Sequence, residues 1–137
     1  MKSRNESLIR LRKFTVDEKR RAVTQIEMMV ADFERMAAEL DQQIEIEHQK
    51  TGITDVGHFA YSTFAKAAAD RRDNLTASAD EMRMKLEAAQ DELAESVEEL
   101  KKIELLDARE HAREAAEETK RDQAEMDEIA LMRRHRK

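Results

Sequence analysis

The sequence contains no cysteine, the residue that forms disulfide bridges, and no proline, the residue that interrupts helices. Glycine occurs only twice among the 137 residues, at positions 52 and 57. Without cysteine there can be no disulfide, no thiolate metal site and no cysteine nucleophile. Because strand formers and turn residues are also scarce, the composition argues against a β fold.

Large apolar residues are few as well, since 40% of residues are hydrophobic and only 4% are aromatic. Such a chain cannot build a thick core, although it can build a thin seam between helices. The longest apolar run, MMVA, is far shorter than the roughly 18 residues that a membrane span needs. The first residues, MKSRNESLIRLRKF, lack the apolar run of a signal peptide. We therefore expect a soluble cytoplasmic protein.

Charged residues make up 41% of the chain, with Ala, Glu, Lys, Leu and Arg dominant, which is typical of coiled coils and long helices. A seven-residue repeat supports this interpretation, because a sustained heptad brings one helix against another. Its a positions are Ile9, Val16, Val23, Val30, Ala37 and Ile44, and its d positions include Ile26, Phe33 and Leu40. Arg12 and Lys19 also fall on d positions, so the seam either begins polar or uses Leu8, Leu11 and Met29 on an adjacent stripe.

A second heptad follows through Leu75, Ala79, Met82, Leu86, Ala89, Leu93, Ser96, Leu100 and Ile103. Two heptad helices joined by a short glycine-containing link predict an all-α fold, an antiparallel two-helix coiled coil (a long α-hairpin) with an overhanging C-terminal helix. Gly52 should end the first helix with a positive φ, and Thr54 or Asp55 should cap the second.

These signals predict a single domain over residues 1–137. Its parts are helix 1 over about 5–50, a turn over about 51–55, helix 2 over about 56–132 and a basic tail at 133–137. A break in helix 2 near 73–78 is left open. Folding about residue 53 places residue 8 opposite residue 98, so everything after about residue 105 lacks a partner within the chain. A lone helix of this kind is marginal in water and is expected to fray or to be ordered by another protein.

Charge is unevenly distributed along the chain. Residues 1–23 carry a balance of +5 and the last five residues, RRHRK, add +4, so the remaining 109 residues hold −15. In a hairpin the two basic ends could form one electropositive pole. Clustered Lys and Arg suit nucleic acid, but the acidic middle and the paucity of aromatics near the basic clusters argue against that partner.

Motifs that carry chemistry are missing. Glu45 and His48 form one Glu-x-x-His pair, whereas a di-iron bundle needs a second copy and two further glutamates. There is no Gly-rich phosphate loop, no GxSxG and no HExxH. We therefore expect no enzymatic activity, no metal, no cofactor and no small-molecule substrate.

The segment QKTGITDVGHFAYSTFA, residues 49–65, differs from the rest in holding both glycines and three of the five aromatic rings. Phe59, Tyr61 and Phe64 have two interpretations. They could close the hairpin end by packing on Leu40, Ile44 and Ile46, or one or two could remain exposed as anchors for a partner, since aromatic residues dominate interface energetics.

A family resemblance is carried by four sequence segments: LIRLRKFTVDEKRR, HFAYSTFAKAAADRRDNL, LEAAQDEL and DEIALMRRHRK. Together with the length and charge layout they resemble the FliJ family, the small coiled-coil component of the bacterial flagellar type III export apparatus. The resemblance implies a stalk-like coiled coil whose partners are the hexameric export ATPase, the cytoplasmic domain of the export gate and export chaperones. It also implies a cytoplasmic location at the basal body, with the membrane reached only through the apparatus.

Carried onto this chain, the resemblance assigns two contact regions. The ATPase-ring contact comprises Arg10, Arg12, Lys13, Lys19, Arg20, Arg21, Arg133, Arg134 and Arg136. The export-gate contact comprises Phe59, Tyr61, Phe64, Arg71 and Arg72. Two other functions fit the composition, namely a generic coiled-coil scaffold or dimer and a nucleic-acid-binding coiled coil. Light scattering would distinguish a coiled-coil scaffold or dimer from a monomeric coupling protein. Salt-dependent retention on DNA would reveal a nucleic-acid-binding coiled coil.

Overall fold

The structure, a computed structural model, describes residues 4–135 and contains two long helices. Helix α1 spans Arg4–Thr51 and helix α2 spans Thr63–His135. The chain is 92% helical and shows no strand within the described range. The prediction of an all-α helical hairpin is therefore confirmed. None of the helical residues between 4 and 135 forms a stretch apolar and long enough to cross a membrane.

Contacts between Cα atoms divide the chain into two units. The turn unit is Val16–Glu95, and the end unit joins the residues up to Thr15 with those from Ser96 onwards. Both helices pass through both units. The prediction of a single domain stays a prediction.

The core of the turn unit is a narrow seam built from small side chains. The buried hydrophobic residues of α1 follow the predicted a positions, and those of α2 are all alanine. They are Val16, Val23, Val30, Ala37 and Ile44 on α1, and Ala65, Ala68, Ala79 and Ala89 on α2. Half-buried d residues and their α2 counterparts lie between them. Small side chains let two helices approach closely. The predicted heptads include all buried hydrophobic residues of α1 as well as Ala79 and Ala89, but the second heptad begins at Leu75 and so omits Ala65 and Ala68.

Ion pairs beside the seam set the antiparallel register of the turn unit. Lys19 Nζ lies 3.2 Å from Glu92 Oε2, and Arg72 Nη1 lies 2.8 Å from Asp41 Oδ1. Arg83 forms a third pair, with Glu34. An exposed ion pair contributes only about 0–1 kcal/mol to the free energy of unfolding. These pairs therefore favour one alignment of the two helices over others more than they stabilise the fold.

Helix α1 ends as the sequence predicts. Gly52 has φ = 70°, and its N–H donates to His48 O at 2.8 Å, which is an αL C-cap. Thr51 Oγ1 donates to Glu47 O at 3.1 Å and accepts the N–H of Ile53 at 3.2 Å. The carbonyls of Glu47 and His48 therefore have local partners.

The predicted start of helix 2 near residue 56, capped by Thr54 or Asp55, is corrected. Asp55 Oδ1 instead accepts the N–H of Gly57 at 2.9 Å, which is an Asx turn inside the loop. The cap of α2 is Ser62, whose Oγ accepts the N–H of Ala65 at 3.2 Å. The loop therefore covers residues 52–62 rather than a tight turn.

Two other expectations about helix 2 are settled by its continuity. No break occurs near 73–78, because α2 is helical throughout that stretch. The expected basic tail is helical as far as the structure describes it, since Arg133, Arg134 and His135 form the last turn of α2. Cations in a last helical turn are stabilised by the helix dipole, which explains why the helix continues into them. Residues 136–137 lie outside the described range.

The end unit contains the first turns of α1 and the second half of α2. Asn5 Nδ2 donates to Glu110 Oε2 at 2.5 Å. Residue 8 therefore lies near residue 107 rather than opposite residue 98, because the loop is longer and the chain folds about a later residue. From Ala108 to His135 every side chain is exposed, which agrees with the predicted overhang.

Overpacking the seam tests this description of the core. Ala79 is only 2% exposed, so Ala79→Leu should lower the free energy of unfolding by about 2 kcal/mol. Ala77 is exposed on the same helix, and Ala77→Leu should change stability by no more than about 0.5 kcal/mol. Urea denaturation followed by circular dichroism measures the free energy of unfolding of both variants. Equal effects of the two substitutions would contradict the burial of Ala79 in the seam.

The two glycines give a second matched pair. Gly52→Ala should cost about 1 kcal/mol, because a residue with a Cβ is disfavoured at φ = 70°. Gly57 does not have a positive φ, and an added Cβ there would meet Asp55 Oδ1 at 3.4 Å, an ordinary contact distance. Gly57→Ala should therefore be neutral within about 0.5 kcal/mol in the same denaturation assay.

Candidate protein-interaction surfaces

The loop between the helices, residues 52–62, is held by its own hydrogen bonds. After the Asp55–Gly57 turn, His58 N–H donates to Asp55 O at 3.0 Å. His58 Nδ1 then accepts the N–H of Ala60 at 3.0 Å, and His58 O accepts the N–H of Tyr61 at 3.0 Å. Consecutive bonds of this kind give the loop a defined conformation without buried apolar contacts.

Two polar contacts fasten the end of the loop to α1. His48 Nε2 and Tyr61 Oη lie 2.9 Å apart in a hydrogen bond, and their rings are tilted with centroids 5.6 Å apart. One residue later, Ser62 Oγ donates to Glu47 Oε1 at 3.0 Å. Ser62 thus caps α2 and ties it to α1 at once. The loop is fixed to the helices that it joins.

The structure separates the three predicted aromatic residues by exposure. Tyr61 is half-buried in its contact with His48, whereas Phe64 is 53% exposed and Phe59 is 97% exposed. The only ring close to Phe59 among the described residues is that of His58, stacked at a centroid distance of 4.7 Å. Of the two interpretations, exposure fits Phe59 and Phe64, and packing against α1 fits Tyr61.

Two further exposed apolar side chains lie close in sequence to these rings. Val56 is in the loop and Ile46 is in the last turns of α1. We call Ile46, Val56, Phe59 and Phe64 the tip surface. Sequence reasoning missed Ile46 and Val56, because Ile46 was assigned to packing under the rings and residue 56 to the start of helix 2. An isoleucine at an outer heptad position was the available signal.

Two shallow grooves run along this part of the turn unit and share Gln43. One, of about 270 Å³, is lined by Gln43, Ile46, Glu47, Lys50 and Phe64. The other, of about 240 Å³, is lined by Met36, Glu39, Leu40, Gln43, Arg71 and Leu75. The tip surface is therefore continued along both helices by grooves that mix apolar and charged side chains.

The two predicted arginines of this region differ. Arg71 is exposed and lines a groove. Arg72 is engaged within the chain, with Nη1 2.8 Å from Asp41 Oδ1 and Nη2 3.2 Å from Asp73 Oδ1. Its hydrogen bonds to Asp41 and Asp73 raise the pKa of the guanidinium above its ordinary value. Arg72 thus joins the helices, and Arg71 is the arginine available to a partner.

The basic residues predicted for the ATPase contact fall in both units. In the turn unit, Lys19 pairs with Glu92, Arg20 lies 4.0 Å from Asp17, and Arg21 is exposed. In the end unit, Arg10 and Lys13 line a groove of about 310 Å³ together with Glu6 and Ile9.

Arg12 differs from its neighbours because it lies in the seam, as its d position predicts. Its side chain is half-buried, and its Nε is shielded from solvent without a hydrogen-bond partner among the described residues. The other basic residues of α1 instead lie on the outside or in ion pairs.

The expectation that both basic ends form one pole is corrected within the end unit. Glu110 lies beside Asn5, and Arg133 is 23 residues further along the same helix. At 1.5 Å per residue this separates Arg133 from the start of α1 by about 35 Å. Arg133 and Arg134 are exposed in the last turn of α2, whereas Arg136 lies outside the described residues. The two basic clusters are separate surfaces.

The Glu-x-x-His pair has local partners. Glu45 accepts a hydrogen bond from Gln49 at 3.5 Å, and His48 faces Tyr61. Residues 4–135 contain no group of three or more Asp, Glu or His side chains arranged to hold a metal ion.

The fold and these surfaces define a class, an all-α helical hairpin with exposed apolar and basic surfaces. The family model described as flagellar FliJ protein matches residues 1–137, so the chain belongs to the FliJ family. Family membership makes it a flagellar export-related protein, associated with components of the export apparatus, from a family that is not known for enzymes. No curated protein and no solved structure gives a significant match.

Proposed function

We propose that this protein is a non-enzymatic, stalk-like coiled coil that couples the hexameric export ATPase to the export gate and assists export chaperones. The observation that carries the proposal is the overhang of α2, residues 108–135, in which every side chain is exposed. A single helix is marginal in water, so an enclosing partner would stabilise it. The help given to chaperones rests on family membership.

The ATPase ring is the proposed partner of the overhang. Met126, Ile129, Leu131 and Met132 are all exposed on α2, and Arg133 and Arg134 follow them directly. Apolar side chains next to cations suit a ring interior that offers both apolar and acidic groups. Arg10 and Lys13 on α1 would contact the ring separately from Arg133, because the start of α1 lies about 35 Å from Arg133. Arg21 is a further exposed cation proposed for the ring contact.

The export gate is the proposed partner of the tip surface. Phe59 presents nearly its whole ring to solvent from a loop fixed by hydrogen bonds, so little conformational entropy is lost when it binds. Arg71 and Lys50, which line the adjoining grooves, could pair with carboxylates of the gate. Such a protein would act on the cytoplasmic side of the inner membrane, beside the basal body.

Stimulation of ATP hydrolysis tests the ATPase part. Adding the protein to its cognate export ATPase should raise the hydrolysis rate, and the double charge reversal Arg133→Glu with Arg134→Glu should weaken the stimulation at least about tenfold in half-maximal concentration. Lys85→Glu is the control, since it reverses an exposed charge outside the proposed contact. No stimulation at saturating wild-type protein would reject this part of the proposal.

Binding to the purified cytoplasmic domain of the gate tests the tip surface. Phe59→Ser should raise Kd at least about tenfold, because buried aromatic anchors dominate interfaces, while the melting temperature stays unchanged. Met84→Ser removes another exposed apolar side chain, 74% exposed and away from the tip, and should leave Kd unchanged. Calorimetry measures both variants, and equal Kd values for Phe59→Ser and wild type would exclude Phe59 from the contact.

A further inference from the structure

The seam of the end unit is polar where α1 begins. Asn5 is half-buried and bonds to Glu110, and Ser96 of α2 is buried. The Asp107 side chain is only 19% exposed, and its partner, His111, lies on the same helix at 3.3 Å. Apolar packing comes from four residues that are each half-buried: Ile9, Val97, Leu100 and Ile103. The end unit has no buried hydrophobic residue within its described part.

Arg12 makes this seam weaker still. Its Nε is buried without a hydrogen-bond partner among residues 4–135. An unpaired buried donor destabilises the packed arrangement, and it regains hydrogen bonds to water when the helices separate. Arg12 therefore favours separation of the two helices at this end.

We propose that the first three turns of α1, residues 4–15, detach from α2 as a local equilibrium of the native protein, with Arg12 setting the balance. Detachment exposes Ile9, Leu100 and Ile103 and frees the Arg12 guanidinium. A partner that offers an apolar surface beside a carboxylate captures this open state. The identity of that partner as the export ATPase rests on the proposed function, whereas the detachment itself does not.

Hydrogen exchange on the intact chain tests the detachment. Amides of residues 9–14 should exchange at least about tenfold faster than those of residues 23–44, where the seam is well packed. Arg12→Leu should slow exchange at residues 9–14 by at least about tenfold, because it replaces a side chain whose buried Nε has no hydrogen-bond partner with one suited to a d position. Tenfold corresponds to about 1.4 kcal/mol.

Arg10→Leu is the matched control for exchange, since Arg10 is exposed two residues earlier on the same helix. It should change exchange at residues 9–14 by no more than about twofold. The proposal is overturned if residues 9–14 exchange as slowly as residues 23–44. It is also overturned if Arg12→Leu fails to slow them, or slows them no more than Arg10→Leu does.

A distance measurement gives an independent result. Because the chain has no cysteine, Leu8→Cys and Leu106→Cys place spin labels only at two exposed positions across the end unit. Double electron–electron resonance should show a short and a long distance, and addition of Arg12→Leu should leave mainly the short one. A single short distance in the chain that retains Arg12 would contradict detachment.

The role in partner binding has its own test. Asn5→Cys and Glu110→Cys, whose native side chains are hydrogen-bonded, can be joined by a short bis-maleimide to hold the end closed. The joined protein should stimulate the export ATPase at least about tenfold less effectively than the same variant left unjoined. Equal stimulation would show that capture needs no opening. Absence of stimulation by either form would count against the proposed ATPase contact and leave the exchange result to decide the detachment.

Discussion

The packing of valine and isoleucine of α1 beside alanine of α2 is the constraint on which the turn unit depends. Small side chains bring the helices close, and of the four phenylalanines only Phe33, at a d position, is half-buried. Phe59 and Phe64 are left at the surface, while Tyr61 keeps its place through a hydrogen bond to His48. Ion pairs beside the narrow seam hold the register of the two helices. Arg72 of α2 pairs with Asp41 of α1 across the seam and with its neighbour Asp73 on the same helix.

Hydrogen bonds hold the loop in place, whereas apolar packing holds the two helices together. Gly52 ends α1, Asp55 turns the chain, and Ser62 caps α2 while bonding to Glu47. A loop held in this way presents its apolar side chains without burying them, which suits a binding surface better than a flexible turn would.

Charge has different consequences in the two units. In the turn unit most seam-flanking cations have carboxylate partners, so they support the hairpin. In the end unit the Nε of Arg12 has no hydrogen-bond partner among the described residues, and the overhang that follows Asp107 is exposed on all sides. Stability is therefore concentrated near the loop, and the parts proposed to bind the ATPase are those that the chain itself stabilises least. Regions that change partners are commonly drawn from the least stable parts of a fold.

The sequence by itself determined the helical hairpin, the seam residues of α1 and the C-cap at Gly52, because heptad spacing and a glycine C-cap are local signals. On α2 the predicted heptad began at Leu75 and missed the buried Ala65 and Ala68. Family membership also followed from sequence, as the match to the FliJ family over residues 1–137 confirms. The start of α2 was not determined, since Asp55 and Ser62 are both good caps and only the contact with Glu47 selects Ser62. Tertiary structure likewise decided the exposure of Phe59, the engagement of Arg72 and the separation of the basic clusters. The last two depend on which residues of the other helix lie opposite, and the exposure of Phe59 depends on its position in the loop.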